Sequence, residues 1–185
     1  METNQTIFPT SISGLLRIER PTLSDDRGFF RESVRIHELE TTLGISFPVV
    51  QMNHARSTKN ILRGIHIAPW NKLIYVTRGK IQSVIADIRK ESPTFGKYES
   101  FILGDENRSS IFIPAGFGNS YLILSQDADY TYLTDQEWTP GKEYGIAWND
   151  PDLKIKWQIE EEPLLSEKDK QNPTLRSLIP EKFQS

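Results

Sequence analysis

The sequence lacks cysteine altogether and has only three histidines and two methionines among its 185 residues. Without cysteine, the chain has no disulfide framework, no thiolate nucleophile and no cysteine-ligated zinc or iron–sulfur site. Long apolar runs are also missing: the longest span four residues, as at 73–76 and 121–124. A membrane-crossing helix needs about 18 to 20 such residues. Any chemistry must therefore come from a few imidazoles together with carboxylates, lysines and phenols.

An excess of charge of one sign is missing as well. The 22 Lys and Arg residues against 25 Asp and Glu give 22 − 25 = −3 at pH 7. That charge is too mild for a surface that coats nucleic acid. The first residues, METNQ, contain neither the basic nor the apolar stretch that begins a signal peptide. We therefore expect a cytoplasmic protein with no nucleic-acid or membrane partner.

Short β-rich runs bounded by turn residues fill the middle of the chain. Four of them follow one another at similar spacing: residues 98–103, 110–113, 120–125 and 130–135. This spacing is typical of an all-β sandwich, jelly roll or barrel. Helical patterns are few: residues 35–43 predict a helix that ends at Gly44, and Ser166 opens a capping-box-like start. The sequence predicts an all-β fold with a short helical fringe.

The pairing of two strands and the extent of the domain are also predicted. Residues 73–77 and 80–88 flank the turn pair Arg78 and Gly79, which is a hairpin signal. No linker or repeat divides the chain, so we expect one domain over residues 1–185. Its core would span about residues 8–169, and residues 170–185 would form a loosely packed tail.

Candidate site residues stand out only weakly by spacing. Arg63 and His66 would face opposite sides of a strand unless Gly64 introduces a bulge, a device that re-aims side chains beside active sites. Gln51 and Asn53 share one face of a strand. Taken alone, His66 is more often a structural histidine than a base.

Several motifs in fixed order change that interpretation. They are DRGFFRE (26–32), QMN (51–53), LRGIH (62–66), DIR with SPTFG (87–96), IPAGF (113–117), WNDP (148–151) and LSEKD (165–169). Together they resemble the dTDP-4-dehydrorhamnose 3,5-epimerase family of nucleotide-sugar enzymes, from about residue 8 to residue 169. The resemblance implies a cupin-type jelly roll and a homodimer.

The resemblance also implies roles for individual residues. His66 would be the general base, Asp169 its carboxylate partner, Tyr132 the proton donor on the opposite face of the sugar, and Lys72 a neighbour of the C4 oxygen. The substrate-binding positions would be Arg27, Phe30, Glu32, Gln51, Asn53, Arg63, Asn119, Glu143 and Lys168. No metal or organic cofactor is implied.

These roles agree with the chemistry of a 4-keto sugar. A hydrogen next to a ketone is acidic because the resulting carbanion delocalises onto the carbonyl oxygen, where the ammonium of Lys72 would stabilise the charge. A histidine accepts such a proton near neutral pH, and a carboxylate fixes its tautomer. Guanidinium groups suit the oxygens of a diphosphate.

Three departures from the family pattern concern substrate recognition. Asn119 stands where the family commonly has histidine, residues 67–71 form a shorter stretch than usual, and Trp138 replaces a usual tyrosine. A branch that acts on GDP-linked 4-keto-6-deoxy-heptoses is similar in its short loop and its asparagine. The substrate could therefore be dTDP- or GDP-linked, and C3, C5 or both could be inverted.

Three other functions are compatible with a cupin-type fold. A metal-dependent cupin typically needs several converging histidines and a carboxylate, and none of the three histidines here forms a His-x-His pair. A non-catalytic sugar-binding jelly roll would tolerate the loss of His66. A 3,4-ketoisomerase would move the carbonyl instead of inverting a carbon. We expect the epimerase, in the synthesis of surface-polysaccharide sugars such as those of lipopolysaccharide or capsule.

Overall fold

The computed structural model describes residues 6–183, which form two antiparallel sheets packed face to face and a small separate hairpin. The large sheet contains, in spatial order, β1 (Ile7–Pro9), β2 (Leu16–Ile18), β10 (Ser110–Ile113), β7 (Lys72–Arg78), β12 (Asp127–Thr134) and β5 (Gln51–Thr58). The small sheet contains β13 (Tyr144–Gly145), β6 (Leu62–Ile67), β11 (Gly118–Ile123), β8 (Lys80–Ala86) and β9 (Tyr98–Gly104). The hairpin pairs β3 (Leu23–Asp25) with β4 (Gly28–Phe30). This architecture confirms the predicted cupin-type jelly roll.

The main core lies between the sheets because alternate residues of each strand point inward. Ile74 and Val76 of the large sheet pack in one buried cluster with Ile81 and Ile85 of the small sheet. A second cluster covers the outer face of the large sheet, where Leu39 of the first helix is fully buried. Both faces of the large sheet are therefore apolar near its centre.

The first helix and the start of the second lie where the sequence predicts them, whereas the third is not predicted. Helix α1 spans Ile36–Leu43 and ends at Gly44, whose φ of 69° places it in the left-handed region that favours glycine. Helix α2 spans Glu167–Lys170, and the hydroxyl of Ser166 accepts the N–H of Asp169 as its amino-terminal cap. Helix α3 spans Leu175–Leu178.

The predicted hairpin around Arg78 and Gly79 is wrong in its pairing, although both strands exist. Strand β7 pairs with β10 and β12, whereas β8 pairs with β9 and β11 in the other sheet. The turn is thus a corner of the jelly roll. Both strands bury large apolar residues between the sheets, so they face each other through side chains instead of sharing a backbone ladder.

The segment after Asp169 does not form the loosely packed tail that the sequence predicts. Leu175 is 1% exposed and Ile179 5% exposed, and both pack in a cluster with Ile146 and Leu153 beside the small sheet. The amide N–H of Leu175 also donates to the buried carboxylate of Asp150 at 2.7 Å. This docking holds α2, and with it Asp169, in place.

Candidate active site

A β-bulge in β6 directs two functional side chains into one cavity. Arg63 of β6 lies opposite Tyr121 of β11. Three positions on, His66 lies opposite Asn119, so two residues of β6 face a single residue of β11. Gly64 is the first of these two and has a φ of 121°. A Cβ at this position would lie 2.6 Å from a side chain of β11, so only glycine fits the bulge.

The cavity beside the bulge has a volume of about 330 Å³, and we refer to it as the β6 cavity. Arg63, His66, Lys168 and Asp169 all line it. The guanidinium of Arg63 is oriented by the hydroxyl of Ser57, which accepts its Nε–H at 3.0 Å. One imidazole, one carboxylate and two cations therefore meet in a single space.

His66 and Asp169 form a hydrogen-bonded pair within this cavity, with 2.7 Å between Nε2 and Oδ1. The carboxylate is buried and held from several sides. The N–H of Gly64 donates to Oδ2 at 3.5 Å, and the amide of Asn172 donates to Oδ1 at 3.4 Å. The α2 cap at Ser166 fixes the Asp169 backbone at 3.1 Å.

The environment of Asp169 keeps it ionised. Burial alone would raise the pKa of Asp169, but the hydrogen bond and charge of His66, with the Gly64 N–H and Ser166, hold that pKa below its usual value. An ionised carboxylate only accepts hydrogen bonds, so the proton of a neutral His66 lies on Nε2. The Nδ1 atom then keeps a free lone pair, as a general base requires.

Lys72 and Tyr132 lie on the inward face of the opposite sheet. Lys72 Nζ is 3.8 Å from Glu143 Oε2 and 5.8 Å from the ring centre of Tyr132. Glu143 precedes β13, in which Gly145 is paired with His66 of β6. The carboxylate of Glu143 thus connects the two walls of the site.

Both groups are largely buried, and burial sets their protonation. Burial lowers the pKa of Lys72, and the nearby carboxylate of Glu143 opposes that decrease. Burial, reinforced by Glu143, raises the pKa of the Tyr132 phenol. Tyr132 is therefore protonated at neutral pH and is able to donate its proton.

Two amides from β5 extend this wall. Gln51 Nε2 donates to Asn53 Oδ1 at 2.7 Å, and Gln51 Oε1 accepts the backbone N–H of Trp138 at 2.8 Å. Asn53 is directly paired with Tyr132 across the strands, and its Nδ2 is buried without a partner. A buried donor with no acceptor is costly, so this atom suits a polar group of a ligand.

The structure does not bring the hairpin residues to the β6 cavity within one chain. Arg27 is paired with Asp25, and Phe30 is 68% exposed. Glu32 is paired with Arg20 at 2.8 Å and lines a different cavity of about 900 Å³ together with Phe30. None of these contacts, within residues 6–183, involves His66, Lys72 or Tyr132.

The sequence analysis does not identify two tyrosines that lie beside Asn119 as candidate site residues. Asn119 Nδ2 donates to the hydroxyl of Tyr130 at 3.1 Å, and the ring of Tyr130 is stacked on that of Tyr121 at 4.0 Å. The two-residue period of a strand is the signal that finds them: Tyr121 is two positions after Asn119, and Tyr130 is two positions before Tyr132.

Residues 6–183 lack the features of two other kinds of site. No helix in this part of the chain is long and apolar enough to span a bilayer. No group of three or more histidine or carboxylate side chains among the same residues is arranged to hold a metal ion.

Comparisons with known proteins agree on one family. A family model described as dTDP-4-dehydrorhamnose 3,5-epimerase matches residues 9–177. An enzyme of that name from Pseudomonas aeruginosa is 41% identical over 164 residues, covering 87% of this chain and 91% of that protein. A dTDP-4-dehydro-6-deoxyglucose 3-epimerase from Streptomyces bikiniensis is 38% identical, covering 91% and 88%. The crystal structure of a Legionella pneumophila dTDP-6-deoxy-D-glucose-3,5-epimerase with dTDP-4-keto-L-rhamnose has a TM-score of 0.89, 38% identity and 95% coverage of both chains.

Proposed function

Because the chain belongs to the dTDP-4-dehydrorhamnose 3,5-epimerase family, we propose that it epimerises a nucleotide-linked 4-keto-6-deoxy sugar next to the ketone. One observation carries the proposal. His66, which is hydrogen-bonded to Asp169 of helix α2 at 2.7 Å, lies on one sheet, and Lys72 and Tyr132 lie on the inward face of the other. A base and an acid on opposite walls are what inversion of a carbon needs.

In the proposed reaction, one proton is removed from a carbon next to the ketone and another is returned to the opposite face of the same carbon. His66 Nδ1 takes the proton from C3 or C5, and the electrons of the broken C–H bond delocalise onto the C4 oxygen as an enolate. Lys72 stabilises that negative charge where it develops. The Tyr132 hydroxyl then gives its proton to the same carbon from the other face, and solvent reprotonates the phenolate and deprotonates His66. The cycle needs no oxidant, reductant or cofactor.

The positive charges in the β6 cavity favour binding of a diphosphate next to the sugar. Arg63 and Lys168 line the same cavity as His66, and two cations match the oxygens of a diphosphate. The amide groups of Gln51 and Asn53 extend the polar wall beside Tyr132. We propose that these residues bind the nucleotide diphosphate and the sugar.

We further propose a homodimer in which the hairpin of one protomer completes the site of its partner. Leu23, Phe29 and Phe30 leave apolar surface exposed on the hairpin, between 51% and 68% of each residue. Arg27 and Glu32 match substrate-binding positions of the family but are held away from His66 of their own chain.

Deuterium exchange tests the proposed function directly. The protein is incubated in heavy water with dTDP-4-keto-6-deoxyglucose and, separately, with a GDP-linked 4-keto-6-deoxy-heptose, and NMR identifies the carbon that takes deuterium. The relatives are named for dTDP-linked sugars, so we expect faster exchange in that series. Exchange at C3, C5 or both with the ketone still at C4 supports epimerisation, and movement of the ketone to C3 supports a ketoisomerase.

The control is His66→Asn, which removes the base and keeps a similar volume. We expect a loss of at least about 10²-fold in exchange rate. Failure of the wild-type protein to exchange either sugar series would refute the proposed function, and binding without exchange would favour a non-catalytic sugar-binding protein.

A further inference from the structure

A stack of aromatic rings fixes a further phenol beside the proposed catalytic groups. The ring centres of Tyr121 and Tyr130 are 4.0 Å apart with an angle of 15° between their planes. Tyr130 is 1% exposed, and its hydroxyl is hydrogen-bonded to the side chain of Asn119 at 3.1 Å. Because Tyr130 is locked by Asn119 at one end and packed in the core, the ring of Tyr121 has little freedom to move.

The hydroxyl of Tyr121 is placed for a ligand. This hydroxyl makes no hydrogen bond within residues 6–183. It is also still accessible to solvent, unlike the fully buried unpartnered atom Asn53 Nδ2. Its strand position is directly opposite Arg63, which lines the β6 cavity. The titration of the Tyr121 phenol is coupled electrostatically to Arg63 and Tyr132, so the three groups are close in space.

The position of Tyr121 within the site favours the sugar over the nucleotide. The residue is only 5% exposed and lies on the same sheet as His66, facing the wall that holds Tyr132. A substrate that offers its ring to His66 and Tyr132 must leave its nucleotide towards the solvent. Burial raises the pKa of Tyr121, so the group is an uncharged donor at neutral pH.

We propose that Tyr121 is a specificity-determining residue whose phenol hydrogen-bonds a hydroxyl at C2 or C3 of the sugar. This inference rests on the proposed epimerase function. A locked phenol of this kind favours hydroxylated sugars and discriminates against deoxy analogues, because their binding leaves the buried phenol without a partner.

The test compares Tyr121→Phe with the wild type on dTDP-4-keto-6-deoxyglucose and on its 2-deoxy and 3-deoxy analogues. The substitution keeps the ring stack and removes only the hydroxyl. With the parent sugar we expect kcat/KM to fall about 2- to 10-fold, the range of one neutral hydrogen bond. With one of the two analogues, Tyr121→Phe and the wild type should have the same kcat/KM, because that analogue already lacks the hydroxyl that Tyr121 would bind.

A matched control is Tyr75→Phe, the same change on the outward face of β7, where the ring contacts Arg31. It should leave kcat/KM unchanged for all three sugars. An equal fall for the parent and both analogues, or no fall for any of them, would overturn the role of Tyr121 while wild-type exchange still supported the epimerase. Absence of wild-type exchange would instead overturn the proposed function, and this inference with it.

Discussion

Replacing Asp169 with asparagine tests whether the buried carboxylate prepares His66 for proton abstraction. Asp169 accepts from His66 Nε2 at 2.7 Å, and burial leaves 4% of the residue exposed. An amide at this position either presents its NH₂ group to the imidazole, which favours the wrong tautomer, or accepts without supporting the imidazolium charge. The same substitution in a Ser-His-Asp triad lowers kcat about 10⁴-fold. We expect a loss of about 10² to 10⁴-fold in the exchange rate.

The assay is the rate of deuterium incorporation into the sugar, measured beside the thermal unfolding of each variant. Asp129→Asn is a matched control, because Asp129 is also buried and its carboxylate is also paired with a histidine, with 2.8 Å between Oδ1 and His54 Nε2. We expect this control to lose some unfolding free energy and to exchange at the wild-type rate once folded. A folded Asp169→Asn protein with wild-type exchange would refute the argument.

The pH dependence of the pair follows from the direction of the Asp169 shift. The pKa of Asp169 is lowered in the folded chain, so its stabilising contribution is complete above the pKa of the unfolded carboxyl. That contribution is lost as the pH falls through the lowered value. Thermal unfolding of the wild type should therefore lose more stability on acidification to below about pH 4 than unfolding of Asp169→Asn. Parallel curves for the two proteins would contradict this reading.

Three further outcomes are expected. Tyr132→Phe should retain deuterium exchange while inversion stops, since the opposite-face donor is lost; product stereochemistry by NMR decides, and full epimerisation would remove Tyr132 from the mechanism. Lys72→Met fills the same buried space without charge and should lower kcat about 10² to 10³-fold, and an unchanged kcat would exclude enolate stabilisation by Lys72. Gly64→Ala places a Cβ 2.6 Å from Ser120 Cβ at a φ of 121° and should cost about 1 to 3 kcal/mol in unfolding free energy, whereas an unchanged melting temperature would mean that the bulge adapts.

Local patterns in the sequence predict the individual elements well. The helix that ends at Gly44, the cap at Ser166 and the strand at residues 110–113 are all found, because each depends on neighbours in the chain. The corner between β7 and β8 is not predicted, since a Gly-containing turn fits a hairpin and a crossover equally. Which sheet receives the next strand is decided by packing between distant residues.

In the candidate site too, some features follow from the sequence and others depend on contacts between distant residues. The His66–Asp169 pair and the Lys72–Glu143 contact join residues that the resemblance had already singled out. Spacing alone leaves the direction of His66 open, because it depends on whether Gly64 forms a bulge, and the facing strand decides that. The strand period places Tyr121 on the same face as Asn119, but its position opposite Arg63 is seen only when β6 and β11 are side by side.

The docking of the segment after Asp169 determines when the proposed active site is complete. The proposed base and the carboxylate paired with it are 103 residues apart, and the carboxylate comes from a four-residue helix that is followed by the buried anchors Leu175 and Ile179. A molecule in which only this segment is undocked keeps both sheets but lacks the carboxylate that pairs with His66. The proposed catalytic pair is therefore complete only when this segment is docked, and the exchange rate of a preparation is expected to rise with the fraction of molecules in which it is docked.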